Sequence, residues 1–273
     1  MQAAKEPDLF ALAKTGTAEQ ILGAIRKGAD ITARNANGAT ALMIAAGYNN
    51  DTEVLKALAS AGADMHARDV AGMTPLMYAV WYSQNVAATQ TLLALGADVA
   101  ETRLDSNETL LMLAAWNNAN PEVARVVLKA GLYVNAQDRN GMTALMYATA
   151  FNKHSAMLAA LLAAGAEVDR TDSQGTTALM WAVDNENSAD TIRILLGAGA
   201  NIDARDRSGR TALIHAAMRA RNADPLEELM KNGADVKLKD ESGKTAYDHL
   251  KSNSNISQLS PTFQKLGTAT ISK

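Results

Sequence analysis

GMTALMYATAFNKHSAMLAALLAAGAEVDR, residues 141–170, is the unit from which this chain is built. It returns as GMTPLMYAVWYSQNVAATQTLLALGADVAE at 72–101 and as GTTALMWAVDNENSADTIRILLGAGANIDA at 175–204. Its Gly-x-Thr-x-Leu opening, or a close relative, starts at Gly38, Gly72, Asn107, Gly141, Gly175, Gly209 and Gly243. These starts are 34 residues apart except for one step of 35. A second glycine, in Gly-Ala-Asp or a relative, falls 24 residues after each of the first six starts, at Gly62, Gly96, Gly131, Gly165, Gly199 and Gly233; Gly28 is its counterpart before the first start. The extra residue therefore lies between Gly96 and Asn107. Self-similarity at a fixed period of this size marks stacked supersecondary units rather than one globular core.

Each unit follows one local grammar. Thr40, Thr74, Thr109, Thr143, Thr177 and Thr211 stand where a helix N-cap belongs, and Pro75 suits the first helical position. Alanine pairs such as Ala114-Ala115 let neighbouring first helices approach closely. A second helix is expected after Asp51, Asn85, Asn120, His154, Ser188 and Asn222, five of which are strong capping types. Asp-x-x-Gly segments between units (69–72, 138–141, 172–175 and 206–209) read as hairpin turns. Before the first full unit, 8–14 reads as a short helix, Gly16 as a turn, and Thr17 to Gln20 as a capping box opening a second helix that Gly28 ends. After Gly243 the unit decays, with a weak helix expected near 256–266 and a frayed tail at 267–273.

The pattern resembles the ankyrin repeat, whose Thr-Pro-Leu-His-x-Ala signature is matched most closely by Thr74-Pro75-Leu76-Met77-Tyr78-Ala79. The resemblance runs over about residues 5–252. Methionine replaces the signature histidine at 43, 77, 112, 146 and 180, then Ile214 and Asp248, and each unit is one residue longer. It implies an all-α solenoid: an N-terminal cap at 1–37, six full repeats over 38–242 and a C-terminal cap at 243–266. It also implies helix pairs with projecting hairpins, a concave groove and protein partners.

Composition narrows the function. The formal net charge is −3, which argues against a general nucleic-acid binder. No apolar run is long enough to span a bilayer. The opening MQAAKEPDLF lacks the layout of a signal peptide, so a cytoplasmic place is favoured and an exported one stays open. Without cysteine there is no disulfide, thiol nucleophile or zinc–thiolate site. No phosphate-binding loop, nucleophile elbow or His-Glu-x-x-His motif occurs, so no enzyme, cofactor or metal is expected. Stacked helices sit about 8–10 Å apart, too far for the methionines to share a metal, and the row is read as inter-repeat packing. His66, His154, His215 and His249 are scattered in the same sense.

The aromatic residues carry the functional expectation. The chain has only twelve Phe, Trp and Tyr. Counting from each signature start, position 6 holds Tyr78, Tyr147, Trp181 and His215, while positions 9 and 10 hold Tyr48, Trp81, Tyr82, Trp116 and Phe151. Helical periodicity puts these on one face, opposite positions 4, 7 and 8. In the family the sequence resembles, that face lines the groove. A monomer is expected that holds a protein or peptide segment there, and a small-ligand scaffold using the same rings is the alternative. Arg207, Arg210 and Arg219, beside His215, would receive an acidic segment of the partner.

Overall fold

In the computed structural model, the structure describes residues 8–184, 188–219, 221–253 and 261–271. Among the described residues the chain holds sixteen α-helices, one 3₁₀ turn and no strand; two isolated bridges, Thr171 with Thr177 and Lys239 with Thr245, mark hairpin bases. Two compact units, Met1–Tyr133 and Val134–Lys273, divide it. The first contains α1 (Leu9–Thr15), α2 (Ala18–Arg26), α3 (Ala41–Tyr48), α4 (Thr52–Ser60), α5 (Pro75–Tyr82), α6 (Val86–Ala94), α7 (Leu110–Asn117) and α8 (Pro121–Lys129). The second contains α9 (Ala144–Phe151), α10 (Ser155–Ala163), α11 (Ala178–Trp181) with its 3₁₀ extension Ala182–Asp184, α12 (Ser188–Gly197), α13 (Ala212–Arg219), α14 (Asp224–Lys231), α15 (Ala246–Leu250) and α16 (Pro261–Ile271).

Within each unit, first helices stack on first helices (α1, α3, α5, α7) and second helices on second helices (α2, α4, α6, α8). A first helix therefore has neighbours on both sides, its own partner helix behind it and a hairpin against it. That is why Pro75 to Val80 in α5 and Leu110 to Ala115 in α7 are buried without a gap. A helix apolar all round has no water-facing stripe. In α3, α5, α7, α9 and α13 the last helical residue, at repeat position 10, is exposed.

The caps hold these short helices in place. Thr74 accepts the Met77 amide at 3.4 Å, and its own amide donates to Met77 Sδ at 3.4 Å. The same reciprocal box closes at Thr40 with Met43, Thr109 with Met112 and Thr143 with Met146. The methionine row is buried, as its reading as packing requires, and it also supplies the acceptor that Glu or Gln brings to an ordinary capping box. Asp248 takes over with its carboxylate, at 3.1 Å from the Thr245 amide.

Three boundaries differ from the sequence reading. Asp8 caps α1 by accepting the Phe10 amide at 3.0 Å and does not lie inside the helix. Helix α12 begins at Ser188 itself, while α14 waits until Asp224 because Pro225 sits in its first turn; Asn222 still accepts the Asp224 amide at 3.1 Å. The last helix runs to Ile271 and replaces most of the expected tail, with the first part of its expected span, 256–260, outside the described residues. It starts on a proline, as first turns allow. Its Gly267 lies so near the Tyr247 ring that a Cβ there would stand 2.9 Å from the ring edge. The neighbouring Leu266 is completely buried.

Candidate functional site

The expected ring residues separate into two groups. Those at repeat position 6 are drawn inward by the hairpin aspartate nine residues earlier. Tyr78 Oη donates to Asp69 Oδ2 at 2.8 Å, Tyr147 Oη to Asp138 Oδ2 at 2.9 Å, and Trp181 Nε1 to Asp172 Oδ2 at 3.2 Å. His215 Nε2 lies 2.9 Å from Asp206 Oδ2, and His249 Nε2 lies 2.7 Å from Asp240 Oδ2. The other oxygen of each aspartate accepts two hairpin amides, as Asp69 Oδ1 does from Ala71 and Met73. Each pair ties a first helix to its own hairpin. The expectation that position 6 faces the groove is thus corrected: Tyr78, Tyr147 and His215 are buried, and Trp181 is half-buried. Where position 6 is apolar, the aspartate is absent: Asn35 stands nine residues before Ile44, and Leu104 nine before Leu113. That correspondence was readable in the sequence.

Burial and the hydrogen bond to a carboxylate push the Tyr78 hydroxyl well above the usual phenol range. Burial, with Arg219 and Arg210 close by, holds the His215 imidazole below its ordinary value against the opposing pull of Asp206. The carboxylate can only accept, so neutral His215 carries its proton on Nε2. Its Nδ1 is buried and has no partner among the described residues. Protonation there would leave an N–H without an acceptor.

The rings at positions 9 and 10 form a connected patch in the first unit. Tyr48 and Tyr82 stand 5.2 Å apart between ring centres, Tyr82 is 6.4 Å from Trp81, and Trp81 meets Trp116 edge-on at 5.2 Å. Buried Tyr78 supports Tyr82 from below at 5.2 Å. Gly47 in α3 makes room: a Cβ there would stand 3.2 Å from Tyr82 Cβ. Tyr48 and Tyr82 are 43% and 42% exposed, and Trp81 and Trp116 are half-exposed. Lys14 Nζ lies 5.4 Å over the Tyr48 ring. In the second unit Phe151 is 44% exposed and leans on Tyr147 at 5.9 Å.

The third hairpin, which holds the extra residue, closes against this patch. It has no aspartate clamp. Instead Arg103 Nη1 binds Glu108 Oε2 at 2.7 Å, its Nε reaches the Ala71 carbonyl at 3.4 Å, and Asn107 adopts a positive φ of 59°. A cavity of about 160 Å³ opens between Asp69, Ala71, Met73, Trp81, Tyr82 and Arg103. A wider one, about 570 Å³, lies elsewhere beside Met230, Val236 and Lys265 and contains none of the expected residues.

The arginine cluster of the second unit is less uniform than its spacing suggests. Arg207 and Arg219 are exposed, while Arg210 is half-buried and its Nε is enclosed without a partner among the described residues. Asp206 is committed to His215 and to the amides of Ser208 and Arg210. The side chains of Asp184 and Glu186, acidic residues of the preceding repeat, lie outside the described residues. His66 Nδ1 pairs with Glu101 at 2.9 Å on a hairpin, and that hydrogen bond raises its pKa. His154 precedes α10 without capping it. No group of metal-ligating side chains occurs among the described residues, and no helix there is long and apolar enough to cross a membrane.

A search of the curated proteins finds no match. The family model for ankyrin repeats matches three times, over residues 9–103, 111–206 and 150–240. Those spans take in every ring of the patch and the clamps of Tyr78, Tyr147, Trp181 and His215. Ankyrin repeats generally serve as protein–protein interaction modules and are typically non-catalytic. With paired helices, hairpins and a Thr-capped first helix recurring through both units, the chain belongs to the ankyrin-repeat proteins.

Proposed function

We propose that this chain is a non-catalytic binding module that holds a protein or peptide segment on Tyr48, Trp81, Tyr82 and Trp116, with Phe151 as a further ring. The observation that carries this reading is the four-ring contact of the first unit, left uncovered at the ends of α3, α5 and α7. Rigid rings bring large contact area at low entropic cost, which is why they dominate binding hot spots. Tyr78 and Tyr147 act from beneath, by fixing the helices that present Trp81, Tyr82 and Phe151, while Trp181 and His215 brace the helices that follow. An acidic stretch of the partner would meet Arg207 and Arg219. The small-ligand alternative is less well supported, because the cavity beside the rings is well below the roughly 300 Å³ at which small-molecule sites begin.

The test compares the chain with Trp81→Ala/Tyr82→Ala as bait in extracts of the native host. A protein retained by the wild type should bind the double variant more weakly by about 2 kcal/mol or more. The melting temperature should barely move. If stability falls by several kcal/mol while binding persists, the rings belong to the core and the reading fails.

A further inference from the structure

The cavity beside Trp81 and Tyr82 lies at the one place where the 34-residue period breaks. Its volume, about 160 Å³, has room for one large side chain. Ala71, Met73 and the two rings line it. Two charged residues also line it, and they are not equivalent. Both oxygens of Asp69 are taken, one by the Ala71 and Met73 amides and the other by Tyr78. Arg103 is held from behind by Glu108, whose side chain is only 6% exposed, while Arg103 itself is 30% exposed. Its Nε and Nη1 are engaged, and its Nη2 has no partner among the described residues. Seen from solvent, the charge offered at the mouth is therefore a guanidinium edge, pre-set by a buried carboxylate and a backbone carbonyl. A fixed guanidinium with spare N–H groups selects carboxylates, through short charge-assisted hydrogen bonds.

We propose that this notch recognises a partner segment in which a bulky apolar side chain stands beside an aspartate or glutamate. The apolar group fills the space between Met73 and the two rings, and the acidic one reaches Arg103. The extra residue just before the third repeat serves this purpose: it exchanges the usual aspartate clamp for the Arg103–Glu108 pair and turns Leu104, 60% exposed, toward solvent. This inference rests on the ring patch being the binding surface and adds the chemistry of what binds.

The two can be tested apart. A random peptide library is selected on the full-length chain, on Trp81→Ala/Tyr82→Ala and on Arg103→Gln/Glu108→Gln, with each protein checked for folding by circular dichroism. The paired change at 103 and 108 removes both charges together, since removing Arg103 alone would strand a buried carboxylate. The wild type should enrich peptides with a large apolar residue within two positions of an acidic one. The 103/108 variant should keep the apolar enrichment and lose the acidic preference. Synthetic acidic peptides should bind that variant about tenfold more weakly than wild type, the size expected for a hydrogen bond to a charged group. Enrichment without an acidic preference, or an acidic preference that survives the 103/108 change, overturns this inference and leaves the ring patch standing. Absence of any enrichment that depends on Trp81 and Tyr82 overturns both.

Discussion

At the scale of single residues, the repeat solves one problem in several chemistries. An aspartate that braces a hairpin through two amides has an oxygen left over beneath a packed helix. A buried polar atom without a partner is costly, so a donor is brought to it from repeat position 6. Tyr78, Tyr147, Trp181, His215 and His249 all fit that description. His215 differs from the tyrosines in that it can titrate near neutral pH. Its folded-state pKa lies below the ordinary value near 6.5, chiefly through burial, so the fold resists its protonation. This contribution to stability is present above about pH 6.5 and is lost as pH falls from there toward the folded-state value. His66, whose pKa is raised, contributes in the opposite sense from an exposed hairpin. His215→Tyr installs the clamp already used at Tyr78 and Tyr147. Its melting temperature should gain on the wild type between pH 8 and pH 5. A gap between the two proteins that stays constant over that range would contradict a neutral, buried imidazole.

At the scale of elements, the short helices depend on their ends. A first helix of eight residues is too short to form alone, since isolated helices need about 12–15 residues even in favourable sequences. The Thr–Met boxes satisfy amides at the N-terminus, and packing from every side does the rest. The hairpins then need backbone that only glycine accepts easily. Gly141 has φ 76°, and a Cβ on it would stand 2.7 Å from the Ser173 amide nitrogen of the next hairpin. Gly23 lies inside α2 with nothing within 4 Å of the place a Cβ would occupy. Gly141→Ala should therefore lower the unfolding free energy in urea by more than about 1 kcal/mol. Gly23→Ala should raise it by about 0.5–1 kcal/mol, as alanine does in a helix interior. Equal effects at the two sites would refute the assignment of strain to the hairpin.

At the scale of the whole molecule, the architecture is a sum of neighbours. In the second unit α11 packs on α9 and α13, and α13 on α15, each on the corresponding helix of an adjacent repeat. Deleting one period, residues 141–174, joins equivalent hairpins and should leave a folded, shorter helical protein by circular dichroism and gel filtration. Deleting everything from Gly243 onward strips α15 from α13, exposes Ile214 and Ala217, and should cause aggregation. An unfolded central deletion beside a well-behaved terminal one would mean that stability is not distributed along the array.

The sequence by itself determined the period, the helix pairs, the Thr caps, the hairpin glycines and the single extra residue before the third repeat. All of these depend on residues within a few positions of one another, where backbone preference and capping act. The clustering of Tyr48, Trp81, Tyr82 and Trp116 was legible too, because positions 9 and 10 recur at the helix ends. Only the tertiary structure decided that position 6 turns inward. Helical periodicity assigns faces when one side meets water, and a first helix enclosed by two neighbours, its partner helix and a hairpin has no such side. The acceptor role of the methionine sulfurs was hidden for a related reason, since a thioether does not advertise itself as a capping group. The pre-set guanidinium of Arg103 arises where the end of one repeat's first helix meets the hairpin of the next, and no local pattern carries a contact of that kind.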